Sequence, residues 1–242
     1  MSSIFERTEL LIGRAGLAKL AASKVAVFGL GGVGSFTAEA LARAGIGALF
    51  LVDHDTVSTS NINRQLHALS HTVGLSKTAI MAERLQGINP TLKLETRQQK
   101  FTPDAAAEML DEQQLNFVVD AIDDVDNKIA LLVHCVRQQI PVISAMGAGN
   151  KLDPTSFRVD SIWNTTVCPL ARTVRKKLRA AGIEENIPVV YSTASPIAVP
   201  NAREGERPVP GSISYVPSVA GLCMAGYVVD KLLGLGVFNN MN

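Results

Sequence analysis

Residues 24–34 read KVAVFGLGGVG, an apolar run that changes abruptly into glycines. Such a run predicts a buried β-strand over 24–29 that leads into a tight turn. An Ala/Leu-rich segment then extends to Ala44 and stops at Gly45, which is a common way for an α-helix to end. A second apolar run follows over 48–53. The segment therefore predicts a strand–turn–helix–strand unit with parallel strands.

The same alternation continues over about 145 residues. Further strands are predicted over 92–96, 117–120 and 141–145, with helices over 74–87, 104–113 and 127–138. The expected fold class is α/β, a Rossmann-like, doubly wound, mainly parallel sheet.

The C-terminal part of the chain differs in character. A helix over 169–181 is expected between strands over 157–163 and 188–192, followed by a mobile loop over 196–217 and a closing helix over 219–237. The apolar stretch 216–229 is shorter than the roughly 20 residues that span a bilayer, so no membrane span is expected. We expect residues 1–242 to form one domain, with a core over 1–145 and an extension over 146–242.

Composition excludes several classes of protein. Lys+Arg is 23 and Asp+Glu is 22, which gives a net charge of +1. This charge excludes a strongly basic protein that binds nucleic acid over its whole surface. The three cysteines form no CxxC pair, so no four-cysteine zinc site and no disulfide scaffold are expected. The N-terminus has no signal-peptide pattern, and the expected compartment is cytoplasmic.

Glycines occur at Gly29, Gly31 and Gly34, between the first strand and the first helix of the unit. This spacing lets backbone N–H groups approach a phosphate at the helix N-terminus. Asp53 ends the next strand, where a carboxylate can bind a ribose hydroxyl. The pattern indicates an adenine nucleotide and leaves NAD and ATP open. The alternative is that the glycines serve packing only.

Basic residues downstream favour a triphosphate. Arg64 and Lys77 follow the second strand, and a hydride-transferring enzyme has no need of such a pair. For both residues the alternative is a solvated surface charge. Asp55 is a further candidate ligand, and the alternative for it is a turn at the end of the strand.

Carboxylates cluster where the fourth predicted strand ends, in the stretch DAIDDVD over 120–126. Ligands bind at this end of open α/β sheets, and Mg²⁺ is usually held by one or two carboxylates plus phosphates. Asp123 is the candidate Mg²⁺ ligand, whereas Asp126 suits the dipole of the following helix.

These motifs occur in an order that resembles one family. The segments that carry the resemblance are RTELLIG (7–13), GLGGVGS (29–35), DHD (53–55), NINRQ (61–65), GLSK (74–77), INP (88–90) and DAID (120–123). Together they resemble the ATP-dependent adenylating enzymes of the ubiquitin-activating superfamily, the ThiF, MoeB and HesA relatives. The resemblance covers residues 5 to 145 and thins beyond them.

The resemblance implies the roles of the site residues. The implied nucleotide-binding residues are Gly29, Gly31, Gly32, Gly34, Asp53, Asp55, Asn61, Asn63, Arg64 and Lys77. The implied catalytic residues are Arg64, Lys77, Asp123, which would also bind Mg²⁺, and Arg7, which would reach into the site of a neighbouring subunit. A homodimer is therefore implied. The shared chemistry is attack of a carboxylate on the α-phosphorus of ATP.

Members of the superfamily differ in the carboxylate that they activate. Activators of ubiquitin-like sulfur carriers usually carry two CxxC pairs, which this chain lacks. The DAID and RTELL segments and VCPLARTVR over 167–175 resemble the tRNA threonylcarbamoyladenosine dehydratases, which activate a carboxylate on a tRNA adenosine. A sulfur-carrier activator with a sulfur-transfer protein partner, an NAD-dependent oxidoreductase and a non-catalytic nucleotide sensor remain alternatives.

Two further features bear on the substrate. Five basic residues within 172–179 could contact tRNA phosphates or form a solvated helix face: Arg172, Arg175, Lys176, Lys177 and Arg179. Cys168 could form a thioester or persulfide, but a buried, inert thiol is the more usual role of an isolated cysteine.

Overall fold

The computed structural model describes residues 4–199 and 210–238. The strands are β1 (Lys24–Phe28), β2 (Ala48–Val52), β3 (Lys93–Arg97), β4 (Phe117–Asp120), β5 (Val142–Ala145), β6 (Phe157–Ser161) and β7 (Pro188–Ser192). The α-helices are α1 (Glu6–Ala21), α2 (Gly34–Ala44), α3 (Lys77–Ile88), α4 (Ala106–Leu110), α5 (Val125–Arg137), α6 (Pro169–Ala180) and α7 (Tyr215–Leu233).

The seven strands form one sheet in the order β3-β2-β1-β4-β5-β7-β6. Every pairing is parallel except the one between β6 and β7 at the edge. The chain winds outward from β1 to β3 and then returns to place β4 on the other side of β1. This reversal confirms the doubly wound α/β class and puts the carboxyl ends of β1 and β4 side by side, where such sheets bind ligands.

Both faces of the sheet are covered, which explains the continuous apolar runs of its central strands. Along β1, Val25 and Val27 join one core cluster, and Ala26 and Phe28 join the other. The first cluster includes residues of α2 and α7, and the second includes residues of α5 and α6. The central strands are thereby fixed between two cores.

Helix α7 is long and apolar enough to cross a membrane, but 56% of its apolar window is buried. It begins at Tyr215 rather than at the predicted residue 219 and ends at Leu233 rather than 237.

A Cβ on Gly221 of this helix would lie 2.3 Å from the carbonyl oxygen of Val33, next to α2. The hydroxyl of Thr37 also donates a hydrogen bond of 3.0 Å to the Gly221 carbonyl. The helix therefore packs closely against α2.

Other boundaries also need correction. Helix α1 was not predicted from the sequence, because Leu20 is its only fully buried residue and Leu10 and Leu11 are exposed. The helix predicted over 104–113 is a short α4 flanked by two 3₁₀ turns, and the strand over 157–163 stops at Ser161. Of the loop predicted over 196–217, residues 200–209 lie outside the described residues, and 215–217 belong to α7.

A buried histidine gives the fold a pH dependence. His67 is 1% exposed, and neither ring nitrogen has a hydrogen-bond partner within the described residues. Burial, assisted by the charges of Lys77 and Arg84, lowers the pKa of His67 to about 4. Between pH 6.5 and about 4, the unfolded chain therefore binds a proton that the folded chain does not bind.

We expect the free energy of unfolding to decrease by about 2 kcal/mol from about pH 7 to about pH 5 because of this one group. Urea unfolding of the wild type and of His67→Gln at both pH values measures the effect. The variant should lose this part of the pH dependence. An unchanged dependence in the variant would contradict the assignment.

Candidate active site

A cavity of about 520 Å³ opens at the carboxyl ends of β1, β2, β4 and β5. Nine of the predicted site residues line it: Gly29, Gly31, Gly32, Asp53, Asp55, Asn61, Arg64, Lys77 and Asp123. Gly34, Asn63 and Arg7 are not among the lining residues. The predicted site residues are thus mostly brought together from three connections of the chain, those after β1, β2 and β4.

The glycines of the turn after β1 have different physical tasks. Gly29 has a φ of +90°, and a Cβ there would lie 2.6 Å from the carbonyl oxygen of Ala121. A Cβ on Gly34 would lie 1.8 Å from the Gly29 carbonyl oxygen. At Gly31, by contrast, the nearest atom, Nε2 of Gln65, would be 4.0 Å away. Gly29 and Gly34 therefore shape the turn, while Gly31 leaves room in the cavity.

Asp53 holds this turn against β2. Its Oδ2 accepts a 2.6 Å hydrogen bond from the backbone N–H of Leu30, and its Oδ1 accepts one of 2.8 Å from that of Asp55. The side chain is 8% exposed and lines the cavity. Each carboxylate oxygen can accept more than one hydrogen bond, so Asp53 can still bind a ribose hydroxyl.

Lys77 and Asp55 form an ion pair at the wall of the cavity. Nζ of Lys77 lies 2.6 Å from Oδ2 of Asp55, with side-chain exposures of 5% and 49%. Partial burial opposes ionisation of Asp55, but the hydrogen bond and charge of Lys77 outweigh it and lower the pKa of Asp55. The cation is thus kept close to the cavity before any ligand is bound.

Arg64 is held by its own loop. Its Nη1 donates hydrogen bonds to the Ser60 carbonyl at 2.7 Å and to Oδ1 of Asn63 at 2.9 Å. The amide of Asn63 donates in turn to the Ser212 carbonyl at 3.0 Å. Oδ1 of Asn61 accepts the N–H of Ser58 and closes the 3₁₀ turn before Arg64. Asn63 therefore orients Arg64, whereas Asn61 and Arg64 line the cavity.

Two carboxylates of the acidic loop after β4, Asp123 and Asp124, line the cavity. Asp120 is fully buried, and Asp124 caps α5 through the N–H of Asn127 and pairs with Lys100. These contacts outweigh a small burial cost and lower the pKa of Asp124. Asp126 lies in the first turn of α5, the place predicted for it, and pairs with Lys177.

Asp123 is exposed, lines the cavity and makes no hydrogen bond or ion pair within residues 4–199 and 210–238. A free carboxylate beside a phosphate-sized turn fits a Mg²⁺ ligand, because Mg²⁺ takes only one or two protein carboxylates together with phosphate oxygens.

Sequence reasoning missed two groups of lining residues. They are Gln99, Lys100 and Phe101 after β3, and Met146, Gly147, Ala148 and Gly149 after β5. Both follow strand ends at the edge that carries the other loops, so the rule applied to Asp123 also applied to them.

Cys168 lies just behind this second group and does not line the cavity. A Cβ on Gly147 would lie 3.6 Å from its Sγ, and Cys168 is 4% exposed. The backbone of Gly147 therefore separates the thiol from the cavity.

Comparison with known proteins agrees with this geometry. The model of the ThiF family matches residues 5–242. The chain belongs to the ThiF family. It is 44% identical over 241 residues to the tRNA threonylcarbamoyladenosine dehydratase of Bacillus subtilis, covering 95% of this chain and 94% of that one. A crystal structure of the Escherichia coli tRNA N6-threonylcarbamoyladenosine dehydratase in complex with ATP is 36% identical, with a TM-score of 0.88 over 96% of this chain and 94% of that one.

A third relative is similar to this chain over a shorter stretch. The molybdopterin-synthase adenylyltransferase of Haemophilus influenzae is 36% identical over 129 residues, which are 53% of this chain and 52% of that protein. The likeness to the dehydratases extends over nearly the whole ThiF-family chain, whereas the likeness to this adenylyltransferase stops at about half.

Substitutions at Gly31 and Gly34 should affect different properties of the protein. Gly31→Ala places a methyl group in open cavity space, so we expect weaker ATP binding, by about tenfold, with an unchanged melting temperature. Gly34→Ala forces a methyl group into the Gly29 backbone, so we expect a loss of several kcal/mol of stability. Calorimetric ATP titration and thermal melting of both variants check this. Equal behaviour of the two would contradict the division of tasks.

Proposed function

We propose that this ThiF-family chain is an ATP-dependent tRNA threonylcarbamoyladenosine dehydratase. The observation that carries the proposal is the meeting of the glycine turn, Arg64, Lys77 and Asp123 around one cavity. Likeness to dehydratases over almost the whole chain supports the choice of substrate. Residues 1–242 would act as one adenylating domain, with 146–242 on the substrate side and the cytoplasm as its compartment.

The site residues divide the work of adenylation. ATP would lie with its phosphates over the glycine turn and its ribose at Asp53. Arg64 and Lys77 would neutralise the charge that develops on the phosphates. Lys77 has three N–H donors, so it can keep its bond to Asp55 and still donate to a phosphate. Mg²⁺ held by Asp123 would supply further positive charge at the phosphates.

The reaction balances without a protein nucleophile. The carboxylate of the threonylcarbamoyl group attacks the α-phosphorus of ATP, forming a mixed anhydride and releasing pyrophosphate. A nitrogen or oxygen of the same modified nucleoside then attacks the activated carbonyl, and a ring closes with loss of one proton to the solvent. AMP leaves with one carboxylate oxygen, so the nucleoside becomes lighter by the elements of water.

Mass analysis of nucleosides tests the reaction and its substrate together. Protein, ATP, Mg²⁺ and tRNA carrying threonylcarbamoyladenosine are incubated and digested under mild conditions. We expect a product lighter by one water only when ATP is present. ATP binding without that product would move the choice to a protein carboxylate, as in a sulfur-carrier activator with a sulfur-transfer partner.

Cys168→Ser serves as the matched variant in that assay. The buried thiol lies behind Gly147, so we expect activity near that of the wild type. Complete loss of activity with intact folding would favour a thioester or persulfide route instead.

The exposed face of α6 is the proposed tRNA contact. Three of its basic side chains have internal partners: Arg175 bonds the Thr165 carbonyl, Lys177 pairs with Asp126, and Arg179 stacks over Trp163. The side chains of Arg172 and Lys176 are exposed and make no hydrogen bond or ion pair within the described part of the chain. These two are therefore the cations of α6 that can contact phosphates without giving up an internal contact.

Arg172→Glu combined with Lys176→Glu should raise the KM for tRNA by about tenfold or more and leave ATP binding unchanged. The control is the exposed Lys93→Glu at the start of β3, which is compared with each single variant because each of the three substitutions changes the net charge by the same amount. Steady-state kinetics at two salt concentrations measure the effect. An equal rise in KM for Lys93→Glu would indicate a nonspecific charge effect.

A homodimer would complete the site. Arg7 is exposed on α1 and does not line the cavity of its own chain. Leu10 and Leu11 on the same helix are 80% and 87% exposed. Large exposed apolar side chains of this kind mark interaction surfaces, and a two-fold arrangement would carry each Arg7 to a second copy.

Complementation tests that arrangement. Arg7→Ala and Asp123→Asn should each be inactive as homodimers, since each lacks one part of both sites. In a refolded equimolar mixture, half of the dimers are mixed and contain one intact site, so about a quarter of wild-type activity should return. An inactive mixture, with subunit exchange verified by mass, would place Arg7 outside the partner's site.

A further inference from the structure

A fully buried ion pair lies beneath the cavity. Nζ of Lys128 lies 2.6 Å from Oδ2 of Asp120, and both side chains are 0% exposed. Nζ also donates to Oγ of Ser144 and to the carbonyl of Ala145, each at 3.1 Å. The hydroxyl of Ser144 donates to the same Asp120 oxygen at 2.6 Å. All three donors of the ammonium group are thereby used.

The pair joins three elements at the edge of the sheet that carries the site. Asp120 is the last residue of β4, Ser144 and Ala145 end β5, and Lys128 lies in α5. The two loops that follow these strands, from Ala121 and from Met146, both line the cavity. One ammonium group therefore ties together the starting points of two cavity walls.

The second carboxylate oxygen of Asp120 connects the ion pair to the residue before Asp123. This oxygen, Oδ1, accepts a 3.0 Å hydrogen bond from the N–H of Ile122, the residue directly before Asp123. The path from Lys128 to the peptide beside the cavity carboxylate thus consists of two hydrogen bonds, of which the first is buried and the second is partly buried.

Energetics indicate why the pair is present. Removing two charges from water carries a large free-energy cost, and apolar residues of similar volume often stabilise a fold as well or better. Stability alone therefore does not account for a charge pair at this depth. An ammonium group with three fixed acceptors does, however, define the relative position of its neighbours.

We propose that Lys128 is a positioning residue that holds, through Asp120, the loop bearing Asp123 at the spacing that adenylation requires. The proposal rests on the proposed function, in that Asp123 serves the adenylation step. Lys128 touches no substrate, and its effect reaches the reaction only through the placement of Asp123.

The main test removes both charges together. Lys128→Met alone leaves the buried Asp120 unpaired and can prevent folding. Asp120→Asn with Lys128→Met keeps an acceptor for the Ile122 N–H and buries no charge. The control is Lys24→Met with Glu95→Gln, which removes an ion pair of 3.3 Å at the amino end of β1, away from the cavity.

Two readouts distinguish positioning from simple stabilisation. We expect kcat to fall by about ten- to hundredfold while the KM for ATP stays within about threefold, because misplacement of a reacting group by about 1 Å costs this much. Amide hydrogen exchange should also become faster over 121–124 and stay unchanged over 24–28. The control should match the wild type in both readouts.

A milder variant covers failure of the double variant to fold. Ser144→Ala removes one donor to Asp120 and leaves the ion pair, so a smaller fall in kcat with an unchanged KM is expected. Wild-type kcat in the variants that fold, with unchanged exchange over 121–124, would overturn the proposal. A wild type that fails to dehydrate the tRNA would refute the proposed substrate instead, and the exchange measurement would still test Lys128.

Discussion

The site depends on the contact between the turn after β1 and the loop after β4. A Cβ on Gly29 would lie 2.6 Å from the Ala121 carbonyl oxygen, so the two backbones approach as closely as glycine allows. This approach follows from the parallel pairing of β1 and β4, in which Phe28 lies opposite Asp120. Because the chain reverses its winding direction between these strands, no helix within residues 4–199 and 210–238 crosses over their ends, and the crevice is open for a ligand.

The fold class was predictable because apolar runs, glycines and turn residues alternate with few ambiguities through β5. Part of the cavity lining was predictable for the same reason, since Gly29, Asp53 and Asp123 each follow a strand that the sequence pattern indicates clearly. Helix α1 was not predictable, because exposed Leu10 and Leu11 obscure its periodicity. Asn63 lies outside the cavity lining and holds Arg64, which the sequence could not show, because the spacing of residues carries no information about which side chain faces inward.

Buried polar contacts were also beyond the sequence. Lys128 looks like an ordinary helix lysine, and only the packing of α5 on β4 and β5 shows that it is fully buried. Similarly, five basic residues in α6 read as a uniform stripe, although Arg175, Lys177 and Arg179 are engaged internally. Pairing depends on residues 10 to 51 positions away, which local patterns do not report.

Two lysine–aspartate pairs of equal length behave differently because of their surroundings. The Lys77–Asp55 and Lys128–Asp120 pairs both have N–O distances of 2.6 Å. Asp55 is 49% exposed, so water can replace one of its partners at low cost and Lys77 can turn toward a phosphate. Asp120 is 0% exposed, and any separation from Lys128 would leave a bare charge in the interior. The same chemical pair therefore supplies an adaptable cation at the cavity wall and a fixed anchor beneath it. A site that must receive a highly charged ligand needs both, since the cation has to respond to the phosphates while the carboxylate of Asp123 stays in place.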